Sequence, residues 1–112
     1  MPESRLTFSE NGHEYSQPLA LIWFSAKWCG PCQQMIPVIN SLAERYAGEL
    51  KVLKVDVDQQ QALAAKFAIR AVPTLVLLAK DKALDQQVGS VPLKQLDEWV
   101  AQHLSTQKEL EK

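Results

Sequence analysis

Two cysteines, Cys29 and Cys32, are the only ones in the chain, and just Gly30 and Pro31 separate them. Trp28 precedes the pair. Before it runs Leu19-Ala20-Leu21-Ile22-Trp23-Phe24, a continuous apolar stretch that suits a strand buried on both faces. After it Met35, Val38, Ile39, Leu42 and Tyr46 recur at helical spacing. The thiols therefore belong where a strand passes into a helix N-terminus, and unpaired amides there favour an anion. A thiolate so placed has a lowered pKa and is the nucleophile of disulfide exchange. Pro31 fits the first helical turn, and Gly30 allows a tight bend and leaves the first sulfur uncovered. Cys29 is expected to attack, and Cys32, one turn further in, to resolve.

Other chemistry suits the pair less well. A disulfide closing so short a loop constrains the unfolded chain little. A zinc site needs a second ligand pair, and the chain has neither another Cys-x-x-Cys nor a His-x-x-x-His. No metal is expected. Inert buried thiols would not need Gly-Pro between them.

The 112 residues make one domain, with 46% apolar content for its core. Twelve basic and 13 acidic residues leave a formal charge of -1, giving no electrostatic case for nucleic acid or an anionic membrane. No apolar run is long enough to span a bilayer, and Met1-Pro2-Glu3-Ser4-Arg5 does not resemble a secretory signal. A cytoplasmic protein is expected, where a lone cysteine pair is more often catalytic than structural.

Elements must position the pair. Leu6 and Phe8 alternate with polar neighbours, and Asn11-Gly12 is a hairpin cue, so residues 1–18 read as a hairpin or a short helix. A helix is expected over about Pro31 to Ala47, kinked at Pro37 and closed near Gly48. Lys51 to Val57 reads as a second buried strand. Asp58 is suited to cap a helix containing Leu63, Ala64 and Phe67. After Pro73, Thr74 to Leu78 is a third apolar strand, joined through Lys80-Asp81-Lys82 to an antiparallel return over Leu84 to Val88. A last helix carries Leu93, Leu96, Trp99, Val100 and Leu104, and residues 105–112 read as a polar tail. The order implies an α/β fold, a three-layer α/β/α sandwich around a mixed central sheet with a right-handed crossover. His13 and His103 read as surface residues away from the cysteines.

With Trp28-Cys29-Gly30-Pro31-Cys32 and Val72-Pro73-Thr74, the chain from about Leu19 to Leu104 resembles the thioredoxin family. The resemblance implies a protein-disulfide reductase needing no cofactor beyond its own redox-active disulfide. It implies that Pro73 is cis and faces the cysteines, and that the backbone of Val72 receives an extended client segment. Trp28, Gly30, Pro31, Val57, Val72, Gly89 and Ser90 fall where the family presents its docking surface. Lys54 matches a lysine the family keeps beneath the second cysteine. Disulfide-containing client proteins and an NADPH-dependent thioredoxin reductase are the implied partners, and a monomer is expected.

The chain also departs from the pattern. Trp23 stands where the family has a buried aspartate taken to assist the second thiol, and Ser25 replaces a family tryptophan. An indole in place of a buried acid removes the cost of desolvating a carboxylate, but its N–H then needs an acceptor. Lys54 is expected to lie against that ring or snorkel outward, leaving Cys32 to ionise through water or Lys54. An alternative reading is a binding module that keeps the fold while redox turnover is secondary. An oxidant or isomerase would need an export signal.

Overall fold

Two strands without an exposed face occupy the middle of the sheet. The computed structural model describes residues 17–80 and 82–110. In chain order these form β1 (Leu19–Ser25), α1 (Gly30–Gln34), α2 (Ile36–Arg45), β2 (Leu50–Asp56), α3 (Gln61–Lys66), β3 (Thr74–Ala79), β4 (Lys82–Val88) and α4 (Leu93–Leu110). The hairpin or helix expected before Pro18, like Asp81 of the expected turn, lies outside the described residues.

The sheet order is β2-β1-β3-β4. β1 pairs parallel with β2 and antiparallel with β3, and β3 pairs antiparallel with β4, so the sheet is mixed as expected. β1 and β3 read as unbroken apolar runs because each has a strand on both sides and helices on both faces. Leu19, Leu21, Trp23, Leu75 and Leu77 meet Ile39 and Leu42 of α2 and Leu96, Trp99, Val100 and Leu104 of α4 in one cluster. Ala20, Ile22, Phe24, Val76 and Leu78 face the other way, against Leu63 and Ala64 of α3 and the following Phe67 and Ile69. Alternate residues of the same strands thus build two cores, each large side chain contributing roughly 1.5–3 kcal/mol of burial.

Three local expectations change. The helix after the cysteines is two helices: α1 ends with Met35 as its cap, and α2 restarts with Pro37 in its first turn. Proline has no N–H to continue the ladder, so the break falls just before it. Asp58 does not cap α3, whose N-cap is Gln60 without a side-chain bond. It is Asp56 that organises this corner, its Oδ1 accepting the Asp58 and Gln59 amides at 2.8 and 3.3 Å. Finally, α4 continues through Leu110 where a polar tail was expected. Thr106 returns its hydroxyl to the Gln102 carbonyl, and Lys108 Nζ reaches Glu49 at 2.8 Å, so the polar residues decorate a helix.

β4 carries one irregularity. Leu77 pairs with Asp85 and Leu78 with Ala83, which leaves Leu84 as an extra residue. A bulge puts two consecutive side chains on one face. Asp85 is thereby turned toward α4 and accepts the Trp99 indole N–H at 2.9 Å, with His103 Nε2 3.2 Å away. His103 is accordingly not a free surface residue; its ring also meets Trp99 edge-on.

Candidate active site

β1 delivers the chain into a tight loop at its C-terminal end. The Cys29 amide donates to the Ala26 carbonyl at 3.2 Å, and Gln33 Nε2 donates to the same oxygen. Cys29 is the N-cap of α1, with extended backbone (φ -93°, ψ 108°) and Pro31 in the first turn. Its Sγ accepts the Cys32 amide at 3.2 Å. α1 has only five residues, so this direct bond, rather than a long helix dipole, favours negative charge on the Cys29 sulfur.

The two cysteines form a disulfide with their Cα atoms 5.2 Å apart. Cys29 keeps 5% of its surface exposed and Cys32 none, so the small accessible area belongs to the first cysteine. Across the loop, the Val72 carbonyl oxygen lies 3.7 Å from Cys29 Sγ. The Val72–Pro73 peptide bond is cis. The Pro73 carbonyl accepts the Gly89 amide at 2.8 Å, and Gly89 has φ +96°, a conformation that favours glycine. This contact brings the end of β4 beside Pro73.

Trp28 stands at the rim, 70% exposed, and Val88 is 60% exposed at the end of β4. Gly30 and Pro31 are exposed and Val72 half-buried. Gly30 is not left-handed, and a Cβ there would meet nothing within 4 Å, so neither the bend nor the packing demands glycine. Its bareness matters only to something approaching from outside.

Lys54 and Trp23, the two residues expected to act on the second thiol, are neighbours in the sheet. Lys54 snorkels outward, one of the two placements expected of it: it is exposed and its Nζ donates to Asn40 Oδ1 at 2.7 Å. It pairs in register with Trp23, but a lysine on a half-exposed strand does better by reaching solvent and an amide than by burying its charge. Trp23 is 4% exposed, packed in the cluster that holds Cys29, Cys32 and Met35. Its indole N–H finds no acceptor among the described residues. Sequence reasoning missed Asp58, whose Oδ2 accepts the Trp28 indole N–H at 2.8 Å. The acid was visible, but its partner lies 30 residues away.

Among the described residues no group of three or more His, Cys, Asp or Glu is placed to hold a metal, and no helix is long and apolar enough to cross a membrane. What the arrangement can do is exchange: one cysteine reaching the surface by a small area, a second fully buried, and a rim of apolar side chains and backbone.

Comparison with known proteins agrees. The thioredoxin family model matches residues 4–102. The chain is 42% identical over 84 residues to a thioredoxin of Haemophilus influenzae, covering 75% of this chain and 78% of that protein. It is 36% identical over 98 residues to thioredoxin 1 of a Nostoc species, covering 88% and 91%. A solved mutant thioredoxin of Halobacterium salinarum superposes with a TM-score of 0.69 at 41% identity, covering 74% of this chain and 72% of that one. The chain belongs to the thioredoxin family, and with its Cys29–Cys32 disulfide it is a thiol–disulfide oxidoreductase, a protein-disulfide reductase.

Proposed function

We propose that this oxidoreductase reduces client proteins with Cys29 as nucleophile and Cys32 as resolving thiol. The supporting observation is the position of Cys29 Sγ, which accepts the Cys32 amide while Cys32 itself is fully buried. In the reduced pair, the Cys29 thiolate attacks one sulfur of a client disulfide and forms a mixed disulfide. Cys32 then attacks Cys29 Sγ, and the client leaves as a dithiol. Two electrons pass directly between sulfurs, so the reading calls for no cofactor.

In this reading Trp28, Gly30, Pro31, Val72, Pro73 and Gly89 receive the client, an extended segment lying along the Val72 backbone as an added strand. Recycling falls to an NADPH-dependent thioredoxin reductase, the chain acts as a monomer, and it works in the cytoplasm. Lys54, exposed and engaged with Asn40, has no part in tuning Cys32.

Catalysed reduction of insulin by dithiothreitol tests the proposal. The chain is expected to accelerate precipitation of the insulin B chain well beyond dithiothreitol alone, and Cys29→Ser to abolish the effect. A wild-type chain whose disulfide cycles but which gives no acceleration would overturn it.

A further inference from the structure

Gln33 is exposed, yet it makes two hydrogen bonds that bracket Cys29. Its backbone amide donates to the Cys29 carbonyl at 3.2 Å, and its side-chain Nε2 donates to the Ala26 carbonyl, also at 3.2 Å. That second oxygen already accepts the Cys29 amide. The carbonyl of the first cysteine and the partner of its amide are thus both held by one residue. Among the described residues, no other side chain apart from the cysteine sulfurs bonds to the backbone of residues 26–32.

A long exposed side chain gives up conformational freedom to be held, and a bond that merely replaced water would return little. This acceptor is different. Ala26 is 1% exposed, so water reaches its carbonyl poorly, and Gln33 fills the second lone pair. Helical side chains point back toward the helix N-terminus, which lets a residue of α1 reach the chain just beyond β1.

Reduction changes what holds the loop. The covalent tie between Cys29 and Cys32 is lost, and a Cys29 thiolate accepts the Cys32 amide in a charge-assisted bond. Such a bond weakens steeply as its angle closes, so the amide must stay aimed at the sulfur. The bond from Gln33 to Ala26 involves no sulfur, and nothing in disulfide exchange removes it. We propose that Gln33 is a positioning residue for the nucleophile: by tying α1 to Ala26 it keeps the Cys32 amide on Cys29 Sγ while the pair is reduced. The assignment deepens the reading of Cys29 as nucleophile and rests on it.

Charge plays no part in this tie. The segments around Cys29 carry Lys27, Lys54, Asp56, Asp58 and Arg70, and β3 carries no charged side chain. Lys54 donates to Asn40, Asp56 accepts the Asp58 and Gln59 amides, and Asp58 accepts the Trp28 indole. None of them bonds to Gln33. Gln33→Met keeps a neutral side chain of similar length and removes its donor, so these charges act alike in both forms.

Two measurements on the full chain test this. Cys32→Ser leaves Cys29 as the only thiol and keeps the backbone amide at that position. Adding Gln33→Met is expected to raise the thiol pKa, read by thiolate absorbance, by about half a unit, about a threefold loss of thiolate below it. In ¹H–¹⁵N spectra of the unaltered chain, the Gln33 side-chain amide is expected to exchange more slowly than that of Gln34 in both redox states. Gln34 is exposed and has no side-chain hydrogen bond among the described residues. A thiol pKa unmoved by Gln33→Met makes Gln33 a structural tie only and overturns the proposal, even where Gln33→Met alone lowers Tm equally in both redox states. So does a Gln33 side-chain amide that exchanges as fast as that of Gln34 once the disulfide is reduced. Should the variant not fold, the amide exchange in the unaltered chain decides. The titration uses no client, so its failure leaves insulin reduction, and the disulfide-exchange reading, standing.

Discussion

The indole N–H of Trp28 donates to the Asp58 carboxylate at 2.8 Å, tying the rim of the cysteine loop to the turn after β2. Trp28 is 70% exposed, so packing covers little of its ring. Among the described residues, one hydrogen bond orients this ring at the rim of the cysteine loop.

Asp58→Ala is therefore expected to leave the fold intact and weaken client engagement. A net hydrogen bond is worth about 1 kcal/mol, which corresponds to about a fivefold rise in KM for insulin. Initial rates against insulin concentration check this. A change confined to kcat would show that the bond serves the exchange step and not docking.

Cys32→Ser is expected to accumulate client proteins as mixed disulfides through Cys29, because the first step proceeds and the second has lost its thiol. Cys29→Ser is expected to trap none, its remaining thiol being fully buried. Non-reducing gels of either variant incubated with oxidised insulin read the outcome. Equal trapping by both would reverse the assigned roles.

The parts of this fold legible in the sequence are those decided locally. β1 and β3 announce themselves because burial on both faces removes polar alternation, and Pro37 marks where the helix is interrupted, as a break where a kink was expected, because it has no N–H to offer. What was hidden depends on where distant segments meet. Asp58 has the character of a cap, and only the return of the chain beside Trp28 makes it a partner for an indole. Lys54 follows β2 outward to Asn40, a choice set by the exposure of that strand. α4 outruns its apolar stripe because Lys108 finds Glu49, a partner 59 residues away. The bulge at Leu84, which aims Asp85 at Trp99, leaves no mark in the sequence.

Asp85 carries an acid-side dependence of stability. The Trp99 N–H, and after it the Gln86 amide and His103, hold its carboxyl below the usual carboxylate value despite the opposing cost of burial. A carboxyl lowered in the folded state adds stability that is present above its unfolded pKa and is lost as pH falls through the folded one. With the side chain 46% exposed, solvent screens much of this, leaving about 1 kcal/mol or less. Asp85→Asn is expected to lower Tm by a few degrees at pH 7, with the gap to wild type narrowing below about pH 4. Melting curves from pH 7 to pH 2 measure it, and a gap independent of pH would exclude the charge as its cause.

Tyr46 supplies the opposite, alkaline dependence. Its hydroxyl donates to Asp97 Oδ1 and approaches the Asp97 carbonyl at 3.1 Å, joining the end of α2 to α4. Burial, reinforced by the hydrogen bond and charge of Asp97, pushes its pKa up to about 12. The folded value lies above the usual 10, so the contribution is whole below pH 10 and is lost as pH rises towards 12. Tyr46→Phe removes the bond while Arg45 still neutralises Asp97. The variant is expected to be less stable by about 1 kcal/mol between pH 7 and 9, a Tm lower by a few degrees. That deficit should close between pH 10 and 12, because the wild type pays for keeping its phenol protonated and the phenylalanine does not. Tyrosinate absorbance supplies the independent check: one of the chain's two tyrosines should ionise late, and that late step should be missing in Tyr46→Phe. Parallel stability curves up to pH 12 would show that the hydroxyl acts by packing alone.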